Sequence, residues 1–172
     1  MILQQGLTMD ITTLEGPVRY GRGFAWWSDE DENPTHHLEE SIATVIDALD
    51  QESYDLVVGH GQGAALTTSL LLENRISNHP KVGYVLNNPT ELPEPTTLDV
   101  ASSNLDDPSI LMLTGMRDTV APDGYAETIK ETMSKAGATV KEIKHPKGHA
   151  IPIQNDETLR LTLEWIAENK KN

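Results

Sequence analysis

Three short segments carry residue types suited to nucleophilic chemistry. Gly59-His60-Gly61-Gln62-Gly63 follows an apolar run and opens a helix-like one. In that strand–turn–helix context a G-x-S-x-G turn presents a serine as nucleophile. The middle position here is Gly61, which has no oxygen to attack with. Downstream, "GMRDTVAP" places Asp118 just after the apolar run 109–115, and "HPKGHAIP" places His149 after the strand-like run 139–144. A histidine serves as general base and a carboxylate orients it. A lone aspartate after a strand is ordinarily a turn residue, and a lone histidine is ordinarily structural or solvated. Here both stand at strand ends, in the order turn, acid, histidine, and a triad frame is the better reading.

The elements that must position these residues follow from periodicity. "LTMDITTL" (7–14) reads as a strand, and a long polar loop containing "GRGFAWWSDEDENP" follows it. Leu38, Ile42, Val45, Ile46 and Leu49 fall on one face of a helix that Asn33 or Thr35 caps. Strands are expected at 55–59, 81–87, 109–115 and 139–144, the last alternating in polarity as a sheet edge does. Helices are expected at 62–75, at 122–136 with Gly137 as its stop, and at 156–170 with Leu159, Leu163 and Ile166 inward. Residues 89–108, rich in proline, read as a loop. Strands alternating with helices of this length predict an α/β fold, a mostly parallel sheet of about five strands with flanking helices. Its chemistry belongs at the carboxyl ends of the strands.

Length and composition set the outer limits. The 172 residues suit one domain spanning 1–172, and a 37% apolar fraction suits a modest core. A net charge of -14 argues against nucleic acid and anionic membrane as partners. The absence of cysteine excludes disulfides, thiolate metal sites and a cysteine nucleophile. "MILQQGLTMDI" has neither the basic start nor the apolar run of a signal peptide, and no stretch has the length of a membrane span. A cytoplasmic location is expected, with the nucleus as the alternative.

Other polar groups read more plainly. His36 and His37 are adjacent on a helix start and point apart, so they suit an exposed cap better than a metal. The acidic run 29–32 lacks the alternating spacing of a calcium loop. The glycine turn has no neighbouring P-loop lysine for a phosphate. No metal or cofactor is expected. Trp26 and Trp27 line a pocket mouth or pack in the core. With His60 and Val120, which flank the turn and the acid, they complete the candidate pocket residues.

The pieces "YDLVVGHGQGAAL", "ILMLTGMRDTVAP", "KEIKHPKGHAIP" and "GFAWWSDEDE" together resemble the FSH-type serine hydrolases, an α/β-hydrolase family, over nearly the whole chain from about Leu7. The resemblance implies that Asp118 orients and His149 acts as base. It places the nucleophile at Gly61 and an oxyanion donor at the backbone N–H of Gln62. The chain departs from the family at Gly61, where the family has serine. Glycine relaxes the strain of an elbow conformation at little cost. It departs again at the N-terminus, where the family's first strand and its oxyanion loop have no counterpart.

Three readings follow. The leading one is a catalytically inactive homologue that works by binding an acyl-type small molecule or as a subunit of a complex. The second is a true esterase or thioesterase, either with its serine replaced by glycine or with Asp118 and His149 activating water. The third is a purely structural domain of an assembly. The family's first strand lies between the segments matching 7–14 and 55–59. Its absence predicts an incompletely covered sheet, and hence a homodimer or another protein subunit as partner.

Overall fold

The computed structural model describes residues 12–20, 23–28, 34–92, 105–121, 124–151 and 157–170. The elements in chain order are β1 (Val18–Tyr20), β2 (Gly23–Ala25), α1 (Pro34–Gln51), β3 (Leu56–His60), α2 (Gln62–Leu72), β4 (Gly83–Asn87), β5 (Ser109–Gly115), α3 (Tyr125–Lys135), β6 (Thr139–His145) and α4 (Glu157–Asn169). The main sheet is four-stranded and parallel, in the order β3-β4-β5-β6. The two central strands, β4 and β5, read as near-continuous apolar runs because both their faces are covered, and successive residues alternate between two cores. Tyr84, Leu86, Ile110 and Met112 face the larger core with residues of α1, α2 and α3. Val85, Leu111 and Leu113 face the smaller one with Ile143 and Trp165.

The α1 stripe lies as its periodicity predicts. Leu38, Ile42 and Leu49 are buried, with Val45 and Ile46 packed against them. The helix begins at Pro34, where the missing N–H of proline costs nothing. Thr35 therefore lies inside the helix instead of capping it, and Asn33 lies outside the described residues. α2 is buried on all sides from Ala64 to Leu72. Its hydroxyls are accommodated by bonding back one turn: Thr67 to the Gly63 carbonyl (2.8 Å) and Thr68 to that of Ala64 (2.9 Å). α3 ends at Lys135, just before Gly137 at φ 105°, as expected.

Four expectations need correction. The strand foreseen at 7–14 is absent over 12–16, where Thr12 to Glu15 are exposed and make no ladder; residues 7–11 lie outside the described residues. The stretch foreseen as a polar loop contains the β1–β2 antiparallel hairpin, in which Tyr20 pairs with Gly23. α2 stops at Leu72 instead of reaching Arg75, because Asn74 turns the chain at φ 53°. In α4 the buried face is Thr158, Thr162 and Trp165, with Ile166 packed against the smaller core as expected, while Leu159 and Leu163 are half-buried. The Thr162 hydroxyl bonds the Thr158 carbonyl (2.8 Å), so a polar side chain sits inward without an unmet group.

β6 is a sheet edge, as its alternation predicts. Among the described residues β3 is the other edge, pairing only with β4, and its Val58 is 60% exposed. Among the described residues no helix is long and apolar enough to cross a membrane.

Candidate active site

The turn from β3 into α2 is built by close backbone approach. A Cβ at Gly59 would lie 2.7 Å from both Ala64 Cα and the Gly63 carbonyl oxygen, so only glycine lets the helix start this near the strand. Gly61 is the residue before α2, at φ 55° and ψ -121°. Its carbonyl accepts from the Ala64 and Ala65 N–H groups (3.1 Å each), and its own N–H donates to the Asn87 carbonyl (3.0 Å). The elbow conformation is thus fully built, at a φ where a side chain is strained. Gln62 is the first residue of α2, where a backbone N–H has no intrahelical acceptor.

The structure brings Gly61, Asp118 and His149 together. His149 Nδ1 lies 2.8 Å from Asp118 Oδ2. Asp118 Oδ1 accepts the N–H groups of Val120 (2.8 Å) and Ala121 (3.4 Å). Burial pushes the Asp118 carboxyl up; the Val120 N–H, the His149 ring and the Ala121 N–H outweigh it and hold the group below the usual aspartate value. The opposite nitrogen, His149 Nε2, lies 2.9 Å from the position a Cβ on Gly61 would take. That is closer than a carbon can sit, so the imidazole occupies room that a side chain at position 61 would need.

His60 packs its ring against His149, centroid to centroid 4.7 Å at 41°. Its Nδ1 is 2.8 Å from Asn87 Nδ2. The amide is the donor there, which leaves the His60 proton on Nε2. Burial, and then the His149 ring, lower the His60 pKa.

Trp27 is buried in the larger core and Trp26 is half-buried against it. Trp26 also borders the elbow, its Nε1 3.2 Å from the Cβ position at Gly63. Val120 is exposed and serves Asp118 through its backbone. His37 pairs with Glu40 at 4.0 Å, and among the described residues no cluster of three or more metal-ligating side chains exists.

Four contributors are not foreseen from sequence. The Gln62 side chain accepts the Trp26 N–H (3.0 Å) and donates to the Trp27 carbonyl (3.1 Å), tying the tryptophan loop to the elbow. The Ser41 hydroxyl donates to the Trp26 carbonyl. Asn87 and Asn88, both buried, bond the loop that carries His149. Nothing in "LNNPT" distinguishes the two asparagines from ordinary turn residues.

A cavity of about 120 Å³ opens beside Asp118, lined among others by Asn88, Thr114, Gly115 and Ala121. Around the Asp118–His149 pair, Met116, Val120 and Ile151 are 57 to 64% exposed. They stand on the two loops that bear the pair, each two residues from Asp118 or His149.

Comparison with known proteins bears on the family and the fold. The profile of a family described as "Serine hydrolase (FSH1)" matches residues 6–160. Among the curated proteins none matches the chain. Among solved structures, the carboxylesterase of Bacillus cereus superposes with a TM-score of 0.70 at 19% identity, over 90% of this chain and 73% of that one. SOBER1 of Arabidopsis thaliana gives 0.64 at 20%, over 87% and 75%. A carboxylesterase of Mesorhizobium loti gives 0.61 at 19%, over 87% and 73%. The fold they share with this chain is that of the α/β-hydrolases.

Proposed function

The chain belongs to the FSH1 serine hydrolase family, and on that premise we propose that it is a non-catalytic member that binds an acyl-type ligand without forming an acyl-enzyme. One observation carries the reading: His149 Nε2 lies 2.9 Å from the Cβ position of Gly61. The base of the site is closed onto a residue with no oxygen to activate. Loss of the attacking group removes the covalent route outright, because that route splits the reaction through a bond to the nucleophile. What remains is suited to holding a ligand. The Gln62 N–H at the start of α2 is a donor for a carbonyl or carboxylate oxygen. Met116, Val120 and Ile151 offer apolar surface for the chain attached to it.

A second reading has its own support. The Asp118–His149 bond is intact at 2.8 Å, and such a pair can draw a proton from water. The protein would then be a slow ester or thioester hydrolase without a covalent intermediate.

Titration with short-chain and medium-chain acyl esters separates the two, with Trp26 beside the elbow as an intrinsic fluorescent reporter. Binding predicts a saturable fluorescence change with no alcohol or thiol released above background. Release that disappears in His149→Ala would overturn it in favour of water activation.

A further inference from the structure

We infer that Asn88 is the positioning residue of the site: it fixes the loop carrying Asp118 and the loop carrying His149 at the separation their hydrogen bond requires. The inference rests on Asp118 and His149 being the working pair of the site, and it holds whether that pair binds or catalyses.

Asn88 follows β4 directly, while the two loops follow β5 and β6. In the sheet order β4 touches β5 but not β6, so a residue after β4 must reach past the end of β5 to contact the His149 loop. Asn88 does this with one carboxamide. Its Oδ1 accepts the Gly115 N–H (2.7 Å), at the root of the segment leading to Asp118. Its Nδ2 faces the carbonyls of Ala150 (3.2 Å) and Gly148 (3.4 Å), the residues on either side of His149. Those residues form a tight turn, with the Ala150 N–H donating to the Gly148 carbonyl (2.8 Å) and His149 at its apex. Asn87 Nδ2 adds a second donor to the Ala150 carbonyl (3.1 Å).

The backbone of Asn88 is set for the task. Its N–H donates to the Leu113 carbonyl (2.8 Å), which pins it to β5, and it stands at φ 47°. Asparagine tolerates that left-handed conformation better than most side chains. The side chain is buried, so its bonds do not compete with bulk water. Other bonds join the two loops nearer their roots: Met116 N–H to the His145 carbonyl (2.9 Å) and Arg117 N–H to that of Lys147 (3.1 Å). These hold the loops together, while the asparagine side chains bond the two carbonyls that flank His149.

The test follows the imidazole N–H of His149 that faces Asp118, observed by proton NMR on the whole chain and assigned by its loss in His149→Ala. Asn88→Gly keeps the backbone conformation and removes the carboxamide. Asn88→Asp keeps the acceptor for Gly115 but sets an oxygen against two carbonyls. Asn74→Gly, at another left-handed and exposed position (φ 53°), is the control. Both Asn88 variants are expected to lose the resonance to solvent exchange while circular dichroism stays that of a folded protein, and the control retains it. A resonance unchanged in either Asn88 variant overturns the inference; if Asn88→Gly fails to fold, Asn88→Asp decides alone. A wild-type protein that lacks the resonance, or keeps it in Asp118→Ala, overturns the pair itself and the inference with it.

Discussion

His149 stands so close to Gly61 that a side chain at position 61 would require its ring to shift. The imidazole Nε2 stands 2.9 Å from where a Cβ on residue 61 would be, while Nδ1 is held 2.8 Å from Asp118. A side chain at position 61 must therefore push His149 away from the elbow, and Asp118 resists that displacement through the same ring.

Gly61→Ala follows from this geometry. At φ 55° a side chain costs on the order of 1–3 kcal/mol, and the contact with His149 adds to it. Urea denaturation should show a loss of stability of about that size or more. An unchanged midpoint would mean that His149 yields freely.

Gly61→Ser supplies an oxygen but meets the same obstruction. Turnover of an aryl ester is expected to stay well below the roughly 10 per second typical of enzymes. A kcat within tenfold of that value would show that the site accepts a nucleophile without strain.

Gln62→Ala removes two hydrogen bonds from the tryptophan loop and leaves the Trp26 N–H and Trp27 carbonyl to find other partners. Leaving such part-buried groups unmet costs about 1–3 kcal/mol. The expected readout is lower stability together with a shifted tryptophan emission. Wild-type values for both would place the clamp outside the stability of the fold.

Asp118 gives a pH dependence with a definite sign. Its folded value lies below the ordinary 3.8, so its contribution is full above that pH and is lost as pH falls through the lower folded value. The stability advantage of the wild type over Asp118→Asn should fade as pH falls below 3.8. An advantage that persists at still lower pH, measured by thermal melts of both proteins, would place its source elsewhere.

Among the described residues β3 pairs on one side only, and this carries the remaining proposal. Val58, on the β3 edge, is 60% exposed, and parallel sheets are normally covered. We expect light scattering to report a species larger than the 18.9 kDa chain, and Val58→Lys to shift it toward the monomer. A wild-type protein that scatters as a monomer at all concentrations contradicts this.

What could be read from the sequence was local. The elbow is a five-residue pattern, Asp118 follows a strand whose apolar run is unmistakable, and His149 follows one whose polarity alternates. The β1–β2 hairpin was hidden because three-residue strands among glycines carry too little periodicity. The α4 face was misread because leucines outvote threonines in any apolar count, whereas a threonine that bonds its own helix carbonyl can lie inward. Asn88 was invisible for another reason. Its partners lie 27 and more residues away and contribute carbonyl or N–H groups, which every residue has.

Covalent labelling tests the central claim most directly. The protein as it stands is incubated with a fluorophosphonate probe, with an ordinary serine esterase as positive control, and the adduct mass is read by mass spectrometry. Because Gly61 offers no oxygen to phosphonylate and His149 is turned onto it, the account predicts an unmodified chain under conditions that label the control completely. A stoichiometric adduct that is lost in His149→Ala would contradict it, since a nucleophile activated by that histidine would then have to exist in the site.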